Sequence, residues 1–203
     1  MQTYYEISDA SEGFLKDRGS RFLAFAFPVH KQEEIELHIA DIRKRFHDAR
    51  HHCVAWRLGR EGEETYTNDD GEPSHSAGAP ILAAIRSASL TNVLVVVVRY
   101  FGGTKLGVRG LIEAYRNSAA DALAQVEKKA IIPKVIFTLE FAYERTSDVN
   151  RILHRYETDV LEAEYTDICR QVLSIREGFF SALEAQLRLA QFELKNVVYS
   201  AET

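Results

Sequence analysis

Apolar side chains occupy both faces of a period-two pattern in SRFLAFAFPV (20–29), with Phe22, Ala24 and Ala26 on one face and Leu23, Phe25 and Phe27 on the other. That pattern predicts a strand inside a sheet covered on both sides. Ile35, Ile39, Ile42 and Phe46 then recur at helical spacing in a charged background, which predicts an amphipathic helix with one buried stripe. HHCVAWRLG (51–59) fits a strand, and a short extended piece follows around Thr65 to Thr67. NDDGEPSHSAGAP (68–80) is rich in turn formers, and ILAAIRSA (81–88) reads as a helix entered through Pro80. TNVLVVVVRYF (91–101) predicts a buried strand, and Leu111, Ile112, Tyr115, Ala119, Ala122, Leu123 and Val126 mark one face of a long helix.

A charged stretch ending at Pro133, EKKAIIPKV, reads as a boundary. Beyond it the patterning predicts strand (135–143), helix (149–156), two strands (about 160–166 and 169–176), helix (179–187) and strand (192–199). The order β-α-β-β-α-β is the ferredoxin-like arrangement. The expected class is therefore α+β in two domains, 1–133 and 134–203.

Composition alters this little: 46% hydrophobic and 27% charged residues are ordinary for a globular chain of 203 residues. Cys53 and Cys169 are far apart and form no CxxC pair, which argues against a zinc ribbon or a disulfide scaffold and points to a cytoplasmic setting. No basic segment leads into an apolar stretch at the start, so a secretory signal is not expected, and the valine run is too short to span a bilayer. Charge matters more. The net is −5, divided into −1 through Pro133 and −4 from Lys134 onward, so neither part is a basic domain that coats nucleic acid. Between Arg99 and Arg116, however, four basic residues face one acid, Glu113.

That local excess coincides with VVVVRYFGGTKLGVRGLIEAY (95–115), where an apolar run meets a helical pattern through Gly102, Gly103, Gly107 and Gly110. Lys105 is followed by Leu106, so the Walker pattern fails, and the frame starting at Gly103 puts lysine where a dinucleotide fingerprint needs its second glycine. What remains is a strand-to-helix loop whose amides can converge near a helix N-terminus, flanked by Arg99, Lys105 and Arg109. These features suit a phosphate or a carboxylate.

The acidic turn is the second candidate. Aligned on Gly71, an EF-hand register places Tyr66 first and Ala77 twelfth, where acids are required, so calcium is rejected. Asp69, Asp70 and Glu72 remain either a magnesium set or a structural turn. His51, His52 and Cys53 are consecutive strand residues that point to alternating faces, so no metal centre is assigned to them. Ser74 and His75 lack a nucleophile elbow, and no catalytic set or cofactor site is predicted.

DARHHCVAW (48–56), DDGEPSHSAGAPIL (69–82) and VVVVRYFGGTKLGVRGLIEAY together resemble the IMPACT family, in particular its bacterial YigZ-type members. The resemblance implies a first domain like the second domain of a small-subunit ribosomal protein and domain IV of elongation factor G. It implies a ferredoxin-like second domain like that factor's domain V. It also implies a role in translation, since the eukaryotic relatives resemble translational regulators acting through a ribosome-associated partner. Asp69, Asp70, Gly71, Glu72, Arg99, Tyr100, Gly102, Gly103, Lys105, Gly107 and Gly110 match the family pattern, whereas His75, Ser76, Ala79 and Arg109 depart from it.

Three function classes follow. The first is a non-enzymatic protein holding RNA or the ribosome through the basic glycine loop, with the second domain's sheet as a further contact surface. The second is a metal-assisted enzyme acting on a small phosphorylated or carboxylated substrate, which requires the acidic turn and the glycine loop to line one cleft. The third is a protein-interaction module whose acidic second domain docks a basic partner.

Overall fold

The strand predicted at 20–29 lies inside a five-stranded antiparallel sheet, and the valine run forms the centre of that sheet. The structure, a computed structural model, describes residues 3–202. Its first unit, Tyr4–Ala130, contains β1 (Tyr4–Ile7), β2 (Ser11–Asp17), β3 (Ser20–Pro28), α1 (Gln32–Arg45) and β4 (His51–Leu58). It continues with β5 (Glu64–Asn68), α2 (Gly78–Ser87), β6 (Val93–Tyr100) and α3 (Gly107–Ala124). The sheet order is β2-β3-β6-β4-β5. Long apolar runs usually signal a parallel sheet, because helices then cover both faces. Here helices cover both faces of an antiparallel one.

Alternation sorts the side chains between two cores. Phe22, Ala24, Cys53, Ala55, Val95 and Val97 pack with α2 and α3. Phe25, Val54, Leu94, Val96 and Val98 pack with Ile35 and Ile42 of α1 on the other face. The first two strands carry no such signal. In β2, SEGFLKD alternates only between half-buried and exposed positions, as an edge strand does, and the apolar pattern passes over it.

The second unit runs from Ile131 and completes the α+β class. It comprises β7 (Lys128–Ala142, whose first residues belong to the first unit), α4 (Thr146–Leu153), β8 (Asp159–Glu164), β9 (Ile168–Arg176), α5 (Glu177–Leu189) and β10 (Leu194–Glu202). The strands order as β10-β7-β9-β8 with every pairing antiparallel. The segment read as a boundary is itself strand: β7 starts at Lys128 and runs through Pro133. β9 has already ended there, its last pair being Lys134 with Arg176, so the missing N–H costs no bond to β9, while β10 pairs Ala201 with Pro133.

Val135, Phe137, Leu139 and Phe141 face a core completed by Leu173, Ile175, Phe180, Leu183 and Leu187. The opposite face presents Ile136, Thr138, Val172 and Ser174. Its charges are partly matched, Lys134 with Asp159 at 3.2 Å and Lys195 with Glu140. The β7 and β9 positions of that face hold no aromatic side chain on which a base could stack.

One close approach positions the functional loop. A Cβ on Gly102, just after β6, would lie 1.8 Å from the carbonyl carbon of Gly19 in the β2–β3 turn. Backbone therefore packs against backbone, and the Gly102 N–H donates to Ser20 Oγ at 3.2 Å. Gly102→Ala is expected to cost at least about 2 kcal/mol in urea unfolding, as overpacking against an immovable neighbour does. Thr104→Ala, at an exposed position two residues on, should stay within about 0.5 kcal/mol of the parent.

Candidate anion-binding cleft

The glycine loop is shorter than its sequence implies. Residues 101–106 form the connection, and α3 begins at Gly107, so Val108, Arg109 and Gly110 belong to its first turn. Gly103 and Gly107 hold φ of +89° and +73°, a region costly for other residues, and a Cβ on either would meet open space. Conformation is what these two positions require. Leu106, at the cap position of α3, has no side-chain oxygen, and no acid lies in the first turn. The amides and dipole at this helix start thus lack the usual negative partner.

The predicted cations separate. Lys105 stands at the rim of the cleft described below. Arg109 is on the helix surface with its side chain 93% exposed, and its Nε donates to Glu113 Oε1 at 3.2 Å. Four residues is the spacing at which helical side chains meet, so entry into the helix turned Arg109 away from the loop. Arg99 is buried, and its Nη1 lies 2.6 Å from Glu72 Oε1.

The acidic turn is consumed by structure. Asp69 Oδ1 accepts from the Ala77 and Gly78 amides at 3.0 and 2.8 Å, and Oδ2 from the His75 amide at 2.7 Å, which caps α2. Asp70 Oδ2 accepts from the His52 amide and Oδ1 from Arg43, both at 2.7 Å. Burial raises the Asp70 pKa, but the amide bond and the Arg43 guanidinium outweigh it and hold the carboxyl below its ordinary value. Asp69 and Asp70 thus face amides and a guanidinium rather than a shared vacant centre. Among the described residues no group of three or more His, Cys, Asp or Glu side chains is placed to hold a metal.

Glu72 behaves differently. Its Oε1 also accepts from the Tyr115 hydroxyl at 2.8 Å, joining the acidic turn to β6 and α3. Burial, with Cys53 and Glu72 nearby, pushes the Tyr115 phenol up, so it remains a donor. Strand alternation separates the three consecutive ligand types. His51 faces Glu72 at 3.9 Å, His52 bonds Phe46 O on the opposite side at 3.0 Å, and Cys53 returns to the core with its thiol 3.1 Å from Asp69 O. Burial pushes the Cys53 thiol up as well, which leaves it unreactive.

Acidic turn and glycine loop line one cleft of about 470 Å³. Its polar side is Arg50, His51, Glu72, Arg99 and Lys105, and its apolar wall is Phe101, Leu106, Val108 and Leu111. Gly107 also contributes, whereas Gly102 braces the loop from behind and Gly110 lies within the helix turn. Arg50 and Phe101 escape sequence reasoning, and His51 enters it only as a rejected metal ligand. The pairing that sets His51 opposite Arg99 comes from strands far apart in sequence.

Fold and site define a two-unit α+β protein with a mixed cationic and apolar cleft where its central strand meets its longest helix. The Impact N-terminal domain family matches residues 18–123. IMPACT family member YigZ of Escherichia coli is 32% identical over 72% of both chains, and YvyE of Bacillus subtilis is 30% identical over 98% of this chain and 76% of its own. A crystal structure titled only as a hypothetical protein superposes with a TM-score of 0.66 at 25% identity, covering 98% of each chain. The chain belongs to the IMPACT family.

Two substitutions separate the roles of the turn. Asp69→Ala should cost at least about 2 kcal/mol, because three amides lose their acceptor. Asp70→Asn should lower stability at neutral pH and flatten its acid limb. With a folded pKa below the unfolded value of about 3.9, the wild-type contribution is complete above that value and is lost as pH falls through the folded one. Urea unfolding across this pH range measures both.

Proposed function

We propose that the protein is a non-enzymatic, translation-associated regulator that holds RNA, free or in the ribosome, by seating phosphate at this cleft. The observation that carries the reading is the convergence of Arg50, Lys105 and the uncapped start of α3 on one concavity. Phosphate satisfies the amides and the cations together. Family membership supports the translation side, through the regulators that its eukaryotic members resemble.

Electrostatics limit the binding to this place. With a net charge of −5, the chain as a whole repels a polyanion, and attraction exists only where cations are concentrated. Arg109 contributes little, being neutralised by Glu113. The second unit, net −4 from Lys134 onward, is not a phosphate platform.

Co-sedimentation with ribosomes and binding to single-stranded RNA, each at several salt concentrations, test the proposal. Affinity should fall steeply with salt, and Lys105→Ala or Arg50→Ala should each lower the log–log slope by about 1, with Arg109→Ala much weaker in effect. Association that survives nuclease treatment unchanged would assign the partner to protein. Absence of association even at low salt would remove the proposal.

A further inference from the structure

The cleft has a chemical polarity that phosphate binding leaves unused. Its rim is cationic, its wall is apolar and its floor offers acceptors. His51 Nδ1 lies 2.8 Å from the Asp70 carbonyl oxygen, which can only accept, so Nδ1 carries a proton and Nε2, 3.9 Å from Glu72 Oε1, is the ring nitrogen left to accept. Glu72 is the second acceptor: Oε1 receives Arg99 and Tyr115, while no hydrogen bond reaches Oε2 from the described residues. Beside them Arg99 lines the cleft, 7% exposed, with its buried Nε lacking any partner. A buried donor without a partner is destabilising, so this floor is not optimised for a closed, empty core.

Phe101, 56% exposed, and Val108, 53% exposed, stand on the wall beside Leu106 and Leu111. A half-exposed aromatic ring next to cations is the surface on which an unstacked base sits. The volume of about 470 Å³ falls in the range of small-ligand sites.

We infer that the cleft seats one guanine nucleotide, its phosphate at Arg50 and Lys105, its base against Phe101, and its Watson–Crick edge on His51, Glu72 and Arg99. Guanine fits this floor because N1–H and the N2 amino group are adjacent donors and O6 beside them is an acceptor. Adenine and cytosine present one donor group next to a ring acceptor, and uracil flanks its single donor with acceptors. A carboxylate and an imidazole lone pair therefore select guanine, with a guanidinium to meet O6. The inference rests on the RNA reading for the source of the nucleotide, although the same chemistry admits a free guanine nucleotide.

Calorimetric titration of the full chain with GMP, AMP, CMP and UMP at low salt, and with a single-stranded oligonucleotide containing or lacking guanine, decides it. GMP should bind roughly tenfold tighter than the other three. Phe101→Ala, exposed and free to fold, should weaken GMP about tenfold with an unchanged melting temperature. Glu72→Gln should bring the GMP to AMP ratio near unity, and if that variant does not fold, the nucleotide series and Phe101→Ala decide alone. Equal binding of all four nucleotides overturns guanine selection. Oligonucleotide binding without a preference for guanine, together with no selective binding of GMP, overturns the inference and leaves the RNA reading standing. GMP binding with no gain for the guanine oligonucleotide keeps the seat and removes RNA as its source. Binding of neither ends both.

Discussion

The carboxylate of Glu72, held between the Arg99 guanidinium and the Tyr115 hydroxyl, is the contact on which the rest of the site depends. It joins three segments distant in sequence: the turn before α2, the end of the central strand and the middle of the long helix. Both charges are withdrawn from water, so the pair is not a large net source of stability. Removing one partner, however, leaves the other buried and uncompensated, at a cost of about 3–5 kcal/mol. The arrangement therefore specifies geometry more than it adds stability. With Glu72 seated, the acidic turn stands opposite the glycine loop and the cleft exists.

Register of the central sheet enforces this contact. Arg99 pairs across β6 with Phe22 on one side and His51 on the other, so all three project toward α2 and α3. A slip of one residue in β4 would exchange His51 for His52 and send the imidazole toward α1. The buried alternation of Val93 to Val98 prevents such slips, because every side chain on both faces already sits in a core.

The elements with strong periodicity were legible in the sequence: β3, α1, β6, α3 and the β-α-β-β-α-β order of the second unit. β1 and β2 were not, because an edge strand with one half-wetted face need not alternate in hydrophobicity. Site chemistry followed the same division. The glycines and Lys105 announced a loop with open backbone space, but Arg109 looked equivalent to Lys105 until the helix began two residues before it and offered Glu113 as a partner. Asp69, Asp70 and Glu72 formed one acidic cluster in the sequence and have three fates in the fold: a helix cap, a strap to α1 and β4, and a floor. Nothing local distinguishes them, since each fate depends on a donor supplied from elsewhere.

Charge bookkeeping over the whole chain would misjudge such a site. At physiological ionic strength the screening length is about 8 Å, comparable to the size of the cleft, so a ligand there responds chiefly to Arg50 and Lys105 at its rim. Glu72 and Arg99 offset one another as an ion pair at 2.6 Å, so Glu72 does not draw on the charge of the rim. What remains is a rim of two cations above a floor of acceptors, a gradient of sign across one small concavity. A plain phosphate uses only the rim, whereas a ligand with an anion at one end and hydrogen-bond donors at the other uses both. The same carboxylate that organises the fold thereby favours a polar, two-ended ligand over a simple anion.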